Sequence, residues 1–220
     1  MFTVLAAFLA AAQPLPPPFP REGATLVLDN EQVAIWDVSW ERGKPTKLHE
    51  HRFTALSVTV RPGRVKSTLP DGTERVGALE TIGNVQYGGK GLVHREEGVS
   101  ETPRRVFLME LKEATPPPDP LPEGVAPAWP RAGATKILDN ELVVVWDYTF
   151  SEAMDVPLHF HDKDQIVVTL GAGRFRVVPS NGEPLEREVQ PGRAAFVPRG
   201  ELHREEFVSG SPRIIVIQLK

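Results

Sequence analysis

Apolar and polar residues alternate over short segments of this chain, and no long stretch repeats apolar residues at helical spacing. Val33–Trp40 alternates in this way, and residues 143–150 do the same. A period of two indicates strands that bury one face. Residues 70–72 and 180–182 are typical of hairpin turns. Further apolar segments that predict strands cover residues 56–60, 106–111, 166–170 and 214–219.

These strands and turns predict the fold class. The chain has 220 residues, of which 22 are proline and 18 are glycine, and this composition suits short strands joined by turns. Many short strands in each half are typical of a closed barrel or a double-sheet jelly roll, which hides its strand edges. We therefore predict an all-β protein.

The two halves of the chain share a repeat. The segment PREGAT at residues 20–25 returns as PRAGAT at residues 130–135, an offset of 110. The segment HREE at residues 94–97 returns at residues 203–206, an offset of 109. The sequence therefore predicts one structural unit that is used twice.

A proline-rich segment precedes each copy of the repeat, and such segments serve as linkers or as straps along a surface. The chain begins MFTVLAAFLAAA, an apolar run that ends in small residues, as a secretory signal does. We predict a signal peptide over residues 1–12, a linker over 13–19, a first barrel over 20–112, a second linker over 113–129 and a second barrel over 130–220.

Composition excludes several classes of function. A formal net charge of −4 without a basic run gives no reason to expect nucleic acid or an anionic membrane surface as a partner. The absence of cysteine excludes disulfides and a lipoprotein anchor. The N-terminal apolar run is too short to span a bilayer. We expect an exported protein, periplasmic or secreted, with no membrane span in its mature form.

All six histidines lie at equivalent positions of the two halves. Because side chains alternate along a strand, the two members of a His-x-His pair project to the same face. A third imidazole from a facing strand would complete one side of a metal coordination sphere. We predict one divalent metal ion per barrel, with Zn, Mn, Fe, Cu and Ni all open. The predicted ligands are His49, His51 and His94 in the first half and His159, His161 and His203 in the second.

The same residues carry a resemblance to the cupin superfamily. Its first motif contains the His-x-His pair, and its second contains Gly, five residues and Pro-x-Gly-x-x-His. The second half matches the second motif with Gly192, Pro198, Gly200 and His203, whereas the first half has Gly89 where the motif has proline. The resemblance spans both halves. It implies two tandem cupin barrels (jelly-roll, double-stranded β-helix), the arrangement of a bicupin.

The chain departs from the cupin pattern at the family's glutamate, which is usually a fourth metal ligand. Ala55 and Gln165 occupy that position in the two halves. Gln165 could coordinate a metal, hydrogen-bond a bound water or only fill space, whereas Ala55 binds nothing, so the sequence favours the second barrel. Glu96 and Glu205 lie two residues beyond the third histidines. Each is a candidate for a general base or a partner of a ligand, or else a solvated or arginine-paired glutamate.

Three neutral imidazoles leave the charge of a divalent ion uncompensated, which favours anionic ligands and leaves coordination positions open. Among cupins, three-histidine sites resemble those of dioxygenases that act on diketones, thiols or gentisate-like aromatics. We therefore expect a dioxygenase-like, metal-dependent enzyme for a small organic anion. The alternatives are a non-catalytic protein that binds metal or a small ligand, and a metal-assisted isomerase or lyase. The chain could be a monomer or a homodimer, because tandem barrels can imitate a dimer of single barrels.

Overall fold

The computed structural model describes residues 14–112, 115–152 and 155–220, and these residues form β-strands joined by turns and loops, with no helix among them. The predicted signal peptide lies outside the described residues. The strands of the first half are β1 (Ala24–Asp29), β2 (Val33–Trp40), β3 (His49–Glu50), β4 (Thr54–Arg61), β5 (Val65–Thr68), β6 (Glu74–Val76), β7 (Val85–Gly88), β8 (Val93–Gly98) and β9 (Arg104–Leu111). Those of the second half are β10 (Ala126–Pro127), β11 (Thr135–Asp139), β12 (Val143–Thr149), β13 (Val156–Phe160), β14 (Gln165–Thr169), β15 (Gly173–Pro179), β16 (Leu185–Val189), β17 (Arg193–Val197), β18 (Leu202–Gly210) and β19 (Arg213–Leu219).

Each half contains two sheets, in the manner of a jelly roll. In the first barrel, which comprises β1 to β9, the strand orders are β1-β2-β9-β4-β7 and β3-β8-β5-β6. In the second barrel, which comprises β10 to β19, they are β11-β12-β19-β14-β17 and β10-β13-β18-β15-β16. The five-stranded sheets β1-β2-β9-β4-β7 and β11-β12-β19-β14-β17 therefore have the same connectivity. No helix in the described part of the chain could cross a membrane.

The largest group of buried apolar residues lies between the two barrels. It joins one five-stranded sheet of each barrel, and its members are Val33, Ile35, Leu56, Val58, Phe107, Met109, Leu111, Val143, Val145, Ile166, Val168, Ile215, Ile217 and Leu219. Each fully buried side chain of this size contributes about 1.5–3 kcal/mol relative to exposure. Apolar burial therefore holds the two barrels together.

The alternating pattern in β2 predicts a strand with one face buried and the other in water, but the packing of the two barrels buries residues on both faces. A half-buried strand has one face in water, but both faces of β2 carry buried residues. Val33 and Ile35 pack against the second barrel, whereas Val38 and Trp40 pack inside the first barrel. The alternation thus separates two buried faces, because the second barrel covers the face that the sequence leaves open.

The two proline-rich segments run along the barrels as straps. Each strap places an aromatic ring inside its barrel: Phe19, 6% exposed, stacks on Trp36 at 4.8 Å, and Trp129, 5% exposed, stacks on Trp146 at 6.0 Å between ring centroids. The second strap also contributes β10, which pairs in parallel with β13. The straps thereby bring the residues that follow these aromatic rings close to the predicted metal ligands.

Candidate metal centres

Three buried histidines of the first barrel converge on one point. His49 on β3 pairs with His94 on β8, and His51 comes directly after β3. The distances between ring centroids are 5.2 Å for His49 and His51, 4.8 Å for His49 and His94, and 5.0 Å for His51 and His94. One nitrogen of each ring lies within 4.8 Å of the others, so this first triad is a group that could hold a metal ion.

The ring nitrogens of the first triad are arranged as a metal ion requires. His49 donates its Nδ1–H to the carbonyl of Lys47 at 2.9 Å, which leaves the lone pair on Nε2. That buried Nε2 has no hydrogen-bond partner among the described residues. The Nε2 atoms of His51 and His94 lie 3.0 Å apart, and two nitrogens bound at about 2.1 Å and at right angles would lie about 3 Å apart. The first triad therefore fits a bound ion.

Two imidazoles of the first triad have lowered pKa values. Burial, followed by the charge of His94, lowers the pKa of His51 to about 4. Burial, followed by the charge of His49, lowers the pKa of His94 to about 4 as well. Both rings are consequently neutral at pH 7, and neutral imidazole is the form that binds a metal.

The surroundings of the first triad contain few polar partners. Ser67 Oγ lies 3.2 Å from His94 Nδ1. Glu96, a candidate for a general base or a partner of a ligand, accepts a hydrogen bond from Trp40 Nε1 at 3.0 Å and is not part of the ligand group. Ala55 offers no polar atom, and the buried Nδ1 of His51 has no partner in the described part of the chain. The first triad thus stands without a fourth ligand.

A cavity of about 410 Å³ reaches the first triad at His49, which lines its wall, whereas His51 and His94 do not line it. This volume lies within the range of about 300–1,000 Å³ that is usual for small-molecule sites. The first strap forms one wall, and Arg21, Lys44 and Lys47 supply positive charge to the lining. The second barrel has a smaller cavity of about 170 Å³ beside His159.

A second triad, formed by His159, His161 and His203, repeats the backbone geometry of the first. His159 on β13 pairs with His203 on β18, and His159 donates its Nδ1–H to the carbonyl of Pro157 at 2.9 Å. The ring centroid of His159 lies 5.2 Å from that of His161 and 4.6 Å from that of His203. Glu205 joins these three histidines in a buried group whose ligand atoms lie within 4.8 Å of one another. This group, the second triad with Glu205, could also hold a metal ion.

Arg131 enters the second triad from the strap side. Its Nη1 and Nη2 donate to the two carboxylate oxygens of Glu205 at 2.6 and 3.2 Å, and Nη2 also donates to His159 Nε2 at 3.2 Å. The guanidinium lies 4.4 Å from the ring centroid of Trp129. The side chains of Arg131 and Glu205 are only 6% and 8% exposed, so this is a buried ion pair in direct contact with a predicted ligand.

Gln165, for which the sequence leaves a role as ligand, as partner of a bound water or as a space-filling residue open, contacts the Nδ1 atom of His161. It accepts a hydrogen bond from Trp129 Nε1 at 3.1 Å and donates one to His161 Nδ1 at 2.9 Å. Gln165 therefore orients the imidazole of His161 through its Nδ1 atom, whereas the Nε2 atom of His161 faces His159.

Electrostatics in the second barrel centre on the ion pair. Burial alone would raise the pKa of Glu205, but the charge of Arg131, with hydrogen bonds from His203 and Arg131, lowers it to about 2. Burial, followed by the charge of Arg131, lowers the pKa of His159 to about 4. Burial, followed by the charge of His203, lowers the pKa of His161 to about 3. At pH 7, Glu205 is ionised and His159 and His161 are neutral.

Arg131 and Trp40 were not predicted from the sequence as parts of the sites. The signal was present, since Arg21 and Arg131 occupy the same place in the repeated segment that precedes each barrel. A second signal was the change from Trp40 to Phe150 between equivalent positions. Neither signal shows which side chain an arginine would contact.

No protein-family model and no curated protein matches this sequence. Solved structures share its fold. AerE from Microcystis aeruginosa is 12% identical with a TM-score of 0.59, and the match covers 94% of this chain and 98% of that one. A cupin 2 conserved barrel domain protein from Leptotrichia buccalis is 13% identical with a TM-score of 0.56, covering 90% and 88%. A deletion mutant of oxalate decarboxylase from Bacillus subtilis is 14% identical with a TM-score of 0.53, covering 86% of this chain and 69% of that one. The fold predicted from the sequence, all-β with cupin (jelly-roll) barrels, is confirmed.

Proposed function

We propose that the first barrel binds one divalent metal ion through His49, His51 and His94, and that the protein is a metal-dependent enzyme for a small organic anion. The observation that carries the proposal is the buried Nε2 of His49, which has no partner among the described residues and belongs to a side chain on the wall of the larger cavity. A buried nitrogen without a partner is costly unless it binds something. The contacts therefore favour the first barrel, where the sequence favours the second.

A divalent ion bound by three neutral imidazoles would supply a Lewis acid with positions open for a bidentate substrate, or for a substrate together with dioxygen. This property supports a dioxygenase-like oxidoreductase. Imidazole suits several metals, and Zn, Mn, Fe, Cu and Ni all remain candidates. Among the structural neighbours, the oxalate decarboxylase of Bacillus subtilis has Mn(II) centres.

The charge of the cavity wall supports an anionic substrate. Lys44 pairs with Glu22 at 2.9 Å and with Glu41 at 2.7 Å. Arg21 and Lys47 remain on the wall without a carboxylate partner in the ion pairs of the described residues. The buried Nη2 of Arg21 also has no hydrogen-bond partner there. Lys47, together with Arg21 and its unpartnered Nη2, would attract and orient a small carboxylate beside His49.

The two alternative functions receive unequal support. An isomerase or lyase needs a free base, yet Glu96 is bound by Trp40 and Glu205 is bound by Arg131. A non-catalytic binder of metal or a small acid is favoured by one observation, namely that Phe19 of the strap occupies the interior of the first barrel. A non-catalytic protein that binds metal or a small acid is therefore the second candidate function.

Export of the protein, the place of metal uptake and the oligomeric state are also proposals. We propose that residues 1–12 are removed on export, so that the mature protein takes up its metal in the periplasm or outside the cell. The mature chain would act as a monomer or homodimer with a small-molecule ligand. The mass of the exported protein would show whether the first residues are removed.

The test is the metal content per chain, measured by mass spectrometry on exported protein and after reconstitution. Wild type should hold an ion that His49→Ala/His51→Ala loses and that the matched variant His159→Ala/His161→Ala retains. Metal-loaded wild type should then consume dioxygen with one member of a panel of diketones, thiols and hydroxybenzoates. Anion binding without turnover of any kind would favour the binder. Equal metal content in wild type and His49→Ala/His51→Ala would overturn the proposal.

A further inference from the structure

We propose that the guanidinium of Arg131 is the resident cation of the second barrel and takes the place of a metal ion there. The second triad with Glu205 would then be a self-contained polar core, and the protein would bind metal in one barrel only. This inference goes beyond the proposed function, because it concerns the barrel that the proposed function does not use.

Ligand nitrogens contact one another in both triads, but among the described residues only the second triad has ligand atoms that also bond to an arginine. His159 Nε2, the atom equivalent to the unpartnered His49 Nε2, accepts a hydrogen bond from Arg131 at 3.2 Å. Both oxygens of Glu205 accept from Arg131, and His203 Nε2 contacts Glu205 Oε1 at 3.2 Å. A metal ion would have to displace the guanidinium and break these contacts.

A hydrogen-bond relay also sets the tautomer of His161. The indole of Trp129 can only donate, so the Gln165 oxygen must face Trp129 and the Gln165 amide N–H must face His161 Nδ1. A neutral imidazole that accepts at Nδ1 carries its proton on Nε2. Nε2 is the atom that lies 3.3 Å from His159 Nε2, so it carries a proton that a bound metal ion would have to displace. His51 has no such relay because Ala55 replaces Gln165.

A single exchange of aromatic residues explains why an arginine enters only the second triad. In the first barrel, Trp40 Nε1 donates to Glu96, and Arg21 lies 5.2 Å from the Trp40 ring centroid with its Nη1 directed to the carbonyl of Ser39. The side chain of Phe150, at the equivalent position, has no N–H donor. The carboxylate of the second barrel therefore takes its hydrogen bonds from the arginine of its own strap, and the guanidinium comes to rest against an imidazole.

The charges of the second barrel are balanced without a metal ion. One guanidinium faces one carboxylate, and both are buried. A dication added to this group would meet a fixed positive charge at contact distance, whereas the first triad has no cation hydrogen-bonded to its imidazoles among the described residues. The three equivalent histidines would thus bind a metal ion in the first barrel and contact a guanidinium in the second.

The experiment is a Zn²⁺ titration of the metal-stripped full chain, with bound ions counted by mass spectrometry. Wild type should bind one ion per chain, and His203→Ala should leave that count unchanged. Arg131→Leu should raise the count by one, and Arg131→Leu/His203→Ala should lose the added ion. The matched variant Arg21→Leu, at the equivalent position of the first barrel, should not raise the count.

Arg131→Leu leaves Glu205 without its cation, so Arg131→Leu/Glu205→Gln provides a neutral version of the same test and should also gain an ion. Loss of an ion from wild type on His203→Ala would overturn the inference, and this result needs no arginine variant. An unchanged count in folded Arg131→Leu and Arg131→Leu/Glu205→Gln would overturn it as well. If wild type binds no ion but Arg131→Leu binds one, the inference stands and the proposed function fails.

Discussion

The first and second barrels hold their histidines in the same way, yet the atoms that would bind a metal meet different neighbours. His49 Nε2 has no partner among the described residues, whereas His159 Nε2 accepts a hydrogen bond from Arg131. The cavity beside His49 has about 410 Å³ and the one beside His159 about 170 Å³. A ligand motif therefore places imidazoles, but the residues around them decide what the imidazoles bind.

Three pairs of equivalent positions account for the contrast, and each changes the hydrogen bonds next to a triad. In each pair, one member has a polar side-chain group that can hydrogen-bond and the other has none. The pairs are Trp40 and Phe150, Ala55 and Gln165, and Ser67 and Val177. Small changes next to a shared motif are thus enough to separate the two barrels.

The largest expected effect comes from removing the buried cation of the second barrel. Arg131→Leu leaves the buried carboxylate of Glu205 unpaired and should lower the free energy of unfolding by about 3–5 kcal/mol. Arg21→Leu should cost clearly less, because Arg21 has no carboxylate ion pair among the described residues. Urea unfolding in the presence of a chelator measures both. Equal losses for the two variants would contradict the contrast.

The second prediction makes the first barrel resemble the second. Trp40→Phe removes the indole donor of Glu96 and should cost about 1–3 kcal/mol of stability. The freed carboxylate should attract Arg21 and weaken metal binding at the first triad. Trp36→Phe is the matched control, since it removes a comparable bond to Glu110 at 2.9 Å. Unchanged metal affinity in Trp40→Phe, measured by chelator competition, would show that this aromatic exchange does not separate the barrels.

A smaller effect on metal affinity is expected at Ser67, which contacts the Nδ1 atom of His94. Ser67→Ala removes the hydroxyl that lies 3.2 Å from His94 Nδ1 and should weaken metal binding about tenfold, as the loss of a partner of a metal ligand does. Thr68→Ala is the control, because Thr68 contacts Glu74 instead. Chelator competition at fixed pH compares the two variants, and equal affinities would remove Ser67 from the site.

The smallest effect concerns the exposed cation of the larger cavity. Lys47→Gln should weaken the binding of malonate to the metal-loaded protein by about two- to fivefold, because an exposed charge is screened by water and salt. The loss should shrink further at high ionic strength. Lys66→Gln, which removes a lysine paired with Glu74 and Glu97, should leave malonate binding unchanged. A salt-independent loss would point to a structural effect instead of charge.

Much of the fold follows from local pattern. The predicted strand over residues 33–40 is β2 with the same bounds, and the segments at 106–111 and 214–219 lie within β9 and β19. The convergence of each His-x-His pair with a third histidine also follows from strand periodicity and the shared motif. The outer face of β2 could not be predicted, because alternation shows that a face is apolar and not what covers it.

The sequence by itself determined the β class, the positions of the main strands and the grouping of histidines, because each depends on spacing along the chain. The tertiary structure alone decided that the barrels share a buried apolar face, that Gln165 contacts the outer nitrogen of His161, and that Arg131 enters its triad where Arg21 stays outside. The physical reason is that a long arginine side chain takes its conformation from the carboxylate and aromatic rings within reach. Those groups lie up to 74 residues away along the chain and become neighbours only when the strap packs against the barrel.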